Sequence, residues 1–258
     1  MRKFILMMLP ISLILFLSGC SIFVKEVDYQ TIANDLNEKN SDKILNAVDG
    51  YAEIKNWAYL ITSTPGDSNR ISKETDELYF KGVYNTVEDR ALGNATSTHL
   101  SSVEVDNEVE QQSENKSPSF SVIYADNKYI NNETKEELDV LLLIDKLQGI
   151  EKVVPKDYSY GLDVPPSIFY DLNEVEFNEI INDDLKIEYD IFKRATILVT
   201  MQEGEARKPY ATDIDISIGW EKRENSSELI DYHLFSGVSF NSGNLNPIEK
   251  YNQLKTDK

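Results

Sequence analysis

The sequence predicts an α+β fold in which a large, curved antiparallel sheet carries two or three helices on its concave face. Three observations lead to this prediction. Apolar and polar residues alternate over long stretches of the last third of the chain, as in strands with one buried and one wet face. These strands follow one another through short polar loops, which is typical of antiparallel meanders. Helical spacing of apolar residues is confined to a few shorter segments elsewhere.

The first twenty residues differ from the rest of the chain in charge and hydropathy. Arg2 and Lys3 precede an almost unbroken apolar run, Phe4 to Leu17. The run is shorter than the roughly 20 residues of a membrane-spanning helix and has the length of a secretory signal. It ends in Leu17-Ser18-Gly19-Cys20, which resembles a bacterial lipobox. This resemblance implies that Cys20 receives a diacylglyceryl group and becomes the first mature residue. The alternative is an ordinary signal peptide or anchor with a chance cysteine.

The lipobox divides the chain into a lipoprotein signal peptide (1–19), a lipidated tether (20–27) and a single α+β domain (28–258). Because each buried methylene of an acyl chain contributes about 0.8 kcal/mol, we expect Cys20 to hold the protein on the extracytoplasmic face of the cell membrane. No later segment has 18 consecutive apolar residues. Cys20 is the only cysteine, so we expect the domain to depend on its hydrophobic core and not on disulfides.

Changes in the spacing of apolar residues predict the helices and strands of the N-terminal half. Tyr29 to Tyr51 has helical spacing, interrupted at Asn40-Ser41-Asp42, where a second helix can begin. After Lys55 the period becomes two, which predicts strands at Trp57–Thr62 and Leu78–Thr86.

The stretch near 104–117 consists almost wholly of acidic and amide side chains. Such a composition buries too little apolar area to offset the entropy of ordering the chain. We therefore expect a mobile acidic loop, from Asp106 to Lys116.

The apolar pattern recovers after Pro118. The following elements are a hairpin of Phe120–Tyr124 and Lys128–Asn131, a leucine-rich helix from Glu136 to Gln148, a short strand at Tyr158–Val164 and a mixed segment, Ser167–Asp183, that ends in a helix. The clearest alternation comes last, in Leu185–Met201, Ile214–Trp220 and Tyr232–Phe240.

This order of elements resembles the unclosed half-barrel of the LolA-like and LppX-like lipoprotein families. The elements that carry the resemblance are the helical N terminus, the strands, the hairpin around Tyr124 and Lys128, the leucine-rich helix and the long terminal strands. The resemblance covers most of the chain after Cys20. It implies that sheet and helices enclose an apolar cavity for acyl chains, and it brings no catalytic residues.

Residue patterns for catalysis or metal binding are sparse. The two histidines, His99 and His233, lack the spacing of metal ligands, and neither a Gly-x-Ser-x-Gly elbow nor a glycine-rich phosphate loop occurs. Asp213 and Asp215 project to the same face of one predicted strand and could share a calcium ion or form a glycosidase pair, although such carboxylates are more often simply solvated. We predict no enzymatic activity, no cofactor and no metal site.

The net charge of the chain limits the kinds of molecule that it can bind. The chain has 45 acidic and 26 basic residues, a net charge of −19. This balance argues against nucleic acid and against docking of the domain surface onto anionic lipid headgroups. An acidic surface also keeps an exported protein soluble.

Two functions remain open. The first is binding of a hydrophobic or lipid-like ligand in a half-barrel cavity, for which 14 tyrosines and 10 phenylalanines offer apolar surfaces with polar tips. The alternative is a protein-interaction module of the cell envelope with a sensing, immunity or assembly role, whose partner is another envelope protein. A continuous cavity of several hundred cubic ångströms favours the first, and a solidly packed core with an exposed apolar patch favours the second.

Overall fold

The structure is a computed structural model that describes residues 25–39, 41–45, 47–67, 69–106, 108–126, 128–138, 147–160, 165–203, 209–224, 228–241 and 246–256. The predicted signal peptide, Cys20 and most of the predicted leucine-rich helix lie outside the described residues. Within them, no helix has the length and apolar character needed to cross a membrane.

Strands dominate the described residues. They are β1 (Lys25–Glu26), β2 (Tyr51–Pro65), β3 (Arg70–Asn85), β4 (Arg90–Val105), β5 (Glu108–Lys116), β6 (Phe120–Ala125), β7 (Lys128–Asn131), β8 (Glu137–Leu138), β9 (Ser159–Tyr160), β10 (Ser167–Leu172), β11 (Ile191–Glu203), β12 (Pro209–Arg223) and β13 (Leu229–Asn241). The helices are α1 (Tyr29–Asn37), α2 (Ser41–Ile44), α3 (Glu174–Phe177), α4 (Asp183–Leu185) and α5 (Pro247–Thr256), with a π-helical turn at Asn178–Asn182 and a 3₁₀ turn at Ile150–Lys152.

Eleven strands form one antiparallel sheet in the order β10-β11-β12-β13-β2-β3-β4-β6-β7-β8, with β5 beside β4. Strand β4 is shared, because its first half pairs with β6 and its second half with β5. The sheet is curved and does not close into a barrel among the described residues. The predicted fold class is therefore confirmed. Strands β1 and β9 form a separate pair.

One face of the sheet, here called the inner face, carries the main core. Ile197, Val199, Ile214 and Ile218 are fully buried on it, which confirms the alternation predicted for the terminal strands. Helix α1 and the α3–α4 segment pack against this core through side chains that include Leu36, Ile32, Phe177 and Ile181.

Side-chain caps explain where these helices begin. Asp28 accepts a hydrogen bond from the Thr31 amide at the start of α1. Asn173 and Glu176 form a capping box at the start of α3, each satisfying backbone amides that a helix start leaves free.

Helix α5 lies on the opposite, outer face. Its Tyr251 packs with Val83 and Leu92, whose neighbours along the strands, Tyr84 and Ala91, point to the inner face. The Tyr251 hydroxyl donates a hydrogen bond of 2.9 Å to Glu88. The spacing of apolar residues did not predict this helix, which adds a small second core outside the sheet.

The loop expected from Asp106 to Lys116 is corrected to a strand. Residues Glu108–Lys116 form β5, all of whose side chains are exposed. The chain turns at Asp106, which takes a left-handed conformation (φ 51°), and then pairs with β4. Main-chain hydrogen bonds to a neighbouring strand need no apolar burial, so composition alone was a poor guide here.

Two further boundaries differ from expectation. The end of the predicted tether is ordered against the domain, because Lys25–Glu26 pairs with β9 and the Val27 side chain is buried. The terminal alternation predicted a strand from Leu185, but Leu185 ends α4 and Lys186 reverses the chain with φ 56°. The strand itself begins at Ile191.

Candidate ligand cavity

A cavity of about 680 Å³, partly open to solvent, lies on the inner face of the sheet. Its apolar lining includes Leu60, Leu78, Leu138, Leu185, Ile187 and Leu234, with Trp220 at one end. Its polar lining includes Asp76, Ser97, His99, Asn115, Ser117 and Ser236. A volume of this size falls in the usual range for small-molecule sites, about 300–1,000 Å³.

The register of the strands separates the apolar and polar side chains. One row of inner-face residues crosses six strands and reads Ile218, Leu234, Leu60, Asp76, His99, Asn115, each directly opposite the next. With about 4.8 Å between neighbouring strands, the row is roughly 24 Å long. Its β12–β13–β2 half is apolar, and its β3–β4–β5 half is polar. We call this series of side chains the central row.

A histidine–carboxylate pair marks the polar half of the central row. His99 Nδ1 lies 2.7 Å from Asp76 Oδ1. This hydrogen bond raises the pKa of His99, against a smaller lowering by desolvation. Beside the pair, the backbone N–H of Ser97 donates a 2.9 Å hydrogen bond to the Ser117 hydroxyl, so β4 holds that hydroxyl in place.

The apolar half is closed by the segment that follows α4. Ile187 is fixed by two hydrogen bonds with Asn182: its N–H donates to Asn182 Oδ1 over 2.7 Å, and its C=O accepts from Asn182 Nδ2 over 3.0 Å. The reversal at Lys186 thus brings Leu185 and Ile187 over the sheet. Trp220 stacks on Tyr232 with ring centroids 5.4 Å apart and planes within 6°, which fixes its ring at the cavity end.

Ser236 is the exception in the apolar half. Ser236 lies opposite Ile216 on β12 and opposite Ala58 on β2, and it is only 2% exposed. Its hydroxyl has no hydrogen-bond partner among the described residues. A buried hydroxyl without a partner costs about 1–3 kcal/mol, so this position offers a bond to whatever occupies the cavity.

The structure places the candidate residues from the sequence on two different faces. Only His99 lines the cavity. His233 hydrogen-bonds Ser217 over 2.8 Å, and desolvation, followed by the charge of Arg194, lowers its pKa. Asp213 and Asp215 share the outer face of β12, where desolvation and then the charge of Asp213 raise the pKa of Asp215. No group of three His, Cys, Asp or Glu residues in the described part of the chain is arranged to hold a metal ion.

Sequence reasoning missed the remaining polar residues of the cavity. Ser236 had a visible sign, because it interrupts the apolar positions between Leu234 and Val238. Asp76 had none, since its role depends on lying opposite His99 on a neighbouring strand.

Comparison with known proteins gives one family match. The model of a domain of unknown function, DUF3952, matches residues 15–118, which is less than half of the chain. The matched stretch contains β1 to β5 and therefore the polar half of the central row, but not the residues that β12 and β13 contribute. No curated protein matches the chain.

Proposed function

We propose that this chain is a non-enzymatic lipoprotein, anchored through Cys20 on the extracytoplasmic face of the cell membrane, that binds a hydrophobic or lipid-like ligand in the cavity. The observation that carries the proposal is the 680 Å³ cavity with its apolar floor. Transfer of an apolar chain onto such a floor contributes about 25 cal/mol per Å² removed from water. The lipids of the membrane to which Cys20 would anchor the protein are a nearby source of such apolar chains.

The packing around the cavity supports ligand binding more than a filled core. Ile218 on β12 is fully buried, whereas the next two residues of the central row, Leu234 and Leu60, are only partly buried. The sheet is therefore well packed beside the cavity, and the partly buried leucines mark where the unfilled volume begins.

Native mass spectrometry tests the proposal. The protein from residue 20 onward with Cys20→Ser keeps every residue that the structure describes; it is produced in a lipid-containing host and analysed without detergent. We expect a bound lipid-sized mass. Ala58→Phe places a ring in the cavity floor and should remove this mass. Lys55→Phe adds the same ring on the exposed outer face of the same strand and should retain it.

The proposal would be overturned if neither the parent protein nor Lys55→Phe carried a ligand, provided that circular dichroism shows both proteins folded. The protein-interaction alternative would then gain weight. Its supporting observation is the aromatic outer face, where Phe235 is 39% exposed and stacks on His233 at 4.3 Å.

A further inference from the structure

We propose that the cavity selects single-chain amphiphiles with an uncharged, hydroxyl-bearing head group over those with an anionic or cationic head. This inference rests on the proposed function and goes further, because it assigns the head group to the Asp76–His99–Asn115 half of the central row. The apolar chain then lies over Leu60, Leu234 and the Trp220 end.

Charge compensation is the first argument. The side chains of Asp76, His99 and Asn115 are exposed, so a head group placed there stays partly hydrated, and a charged head gains affinity only from a free group of opposite charge. Among the described residues that line the cavity, none is a lysine or arginine. Asp76 Oδ1 lies 2.7 Å from His99 Nδ1, so each group of this pair already has a hydrogen-bond partner within the central row. Among the described lining residues, an anionic head therefore finds no lysine or arginine, and a cationic head finds no carboxylate in the central row that lacks a partner.

Glu77 also borders the cavity but does not change this balance. It occupies an odd position of β3, between the inner-face residues Asp76 and Leu78, so it belongs to the outer face. There its carboxylate accepts a hydrogen bond from Tyr59.

The available hydrogen-bond groups are the second argument. The polar half presents an amide at Asn115 and hydroxyls at Ser97 and Ser117, which can both donate and accept. The buried Ser236 hydroxyl, which has no partner among the described residues, adds a further donor and acceptor on the apolar side. Neutral groups of this kind match the hydroxyls and ester carbonyl of a polyol ester.

Three probes that share a twelve-carbon chain separate the head-group classes: 1-lauroylglycerol, laurate and dodecyltrimethylammonium. Each is titrated below its critical micelle concentration into the Cys20→Ser protein from residue 20 onward, at a pH at which laurate is ionised. We expect 1-lauroylglycerol to bind at least tenfold more tightly than either ion, a difference of about 1.4 kcal/mol.

Two variants should shift this selectivity in opposite directions. Asp76→Asn removes a negative charge beside the head-group position and leaves the His99 imidazole without its carboxylate partner, so laurate binding should improve several-fold. His99→Gln leaves the Asp76 carboxylate without its imidazole, so dodecyltrimethylammonium binding should improve instead. Asp126→Asn makes the same charge change as Asp76→Asn at a hairpin turn outside the cavity lining, and should alter neither affinity.

The outcomes distinguish this inference from the proposed function. If laurate or the ammonium compound binds to the parent protein as tightly as 1-lauroylglycerol, the head-group assignment is wrong while ligand binding stands. The assignment to the Asp76–His99 pair also fails if the two variants leave the ionic affinities unchanged. If none of the three probes binds, the proposed function itself fails.

Discussion

Two truncations in the central row separate an open cavity from a filled core. Ile218 and Leu60 lie in the same row on the inner face, separated by Leu234. Ile218 is fully buried in the main core, whereas Leu60 is partly buried and lines the cavity. Replacing each by alanine removes apolar carbons from equivalent positions of neighbouring strands, so the difference between the variants reports on local packing.

The expected costs follow from burial. Truncating leucine to alanine removes three carbons, worth about 2.4 kcal/mol when fully buried at ~0.8 kcal/mol each. Leu60 already borders unfilled volume, so its truncation creates little new cavity and should cost roughly 1–1.5 kcal/mol. Ile218→Ala loses the full transfer free energy and leaves a new void, so roughly 3–4 kcal/mol is expected.

Urea unfolding of the delipidated protein, followed by tryptophan fluorescence, measures both free energies. The same variants are titrated with a fluorescent monoacyl probe, whose affinity should fall for Leu60→Ala and stay near the parent value for Ile218→Ala. Equal costs for the two truncations, with no loss of probe binding, would refute the reasoning, because Leu60 would then be packed as tightly as Ile218.

Three further predictions concern other parts of the chain. Cys20→Ala should release the protein from membrane fractions or leave it unprocessed, which fractionation and intact mass would detect; processed protein that stays in the membrane fraction would contradict the lipobox interpretation. Val109→Ala in β5 should lower the melting temperature less than Ile218→Ala does, since the Val109 side chain is exposed; an equal or larger loss would show that this strand packs into the core. Desolvation, and then the hydrogen bond to Glu88, raises the pKa of Tyr251 to about 12. The unfolded chain ionises nearer pH 10, so stability present below pH 10 is lost as the pH rises towards 12; Tyr251→Phe should make this loss smaller in urea titrations across that range, and an unchanged profile would contradict the assignment.

Local pattern was sufficient to predict the terminal sheet. Strands β11 to β13 bury one face and leave the other partly wet, so every second residue had to be apolar, and the buried Ile197, Ile216 and Val238 show that period. The hairpin of β6 and β7 was equally visible because its turn lies between two apolar runs.

Elements stabilised by distant partners were not visible. Strand β4 has few large apolar residues, and its core positions are taken by Ala91, Gly93 and Ala95. Gly93 lies opposite Gly82 on β3, where an added Cβ would come within 2.3 Å of the Lys81 carbonyl oxygen, so small residues are required there. Composition gives no sign of such close backbone approach. The cavity was missed residue by residue for a similar reason, since Asp76 and His99 meet only through the register of β3 and β4.

The pairing of β2 with β13 has a consequence for how the chain folds. Glu53 lies opposite Asn241 and Ser63 opposite Asp231, so the centre of the sheet joins segments that are far apart in sequence. Closing so long a loop delays the pairing, and folding through such distant contacts is slow. Until β13 arrives, β2 presents a 15-residue edge of unpaired amides and carbonyls, which is a template for aggregation. The stretch matched by the domain family ends at residue 118 and contains β2 without β13. Produced alone, it would keep that edge open and should self-associate.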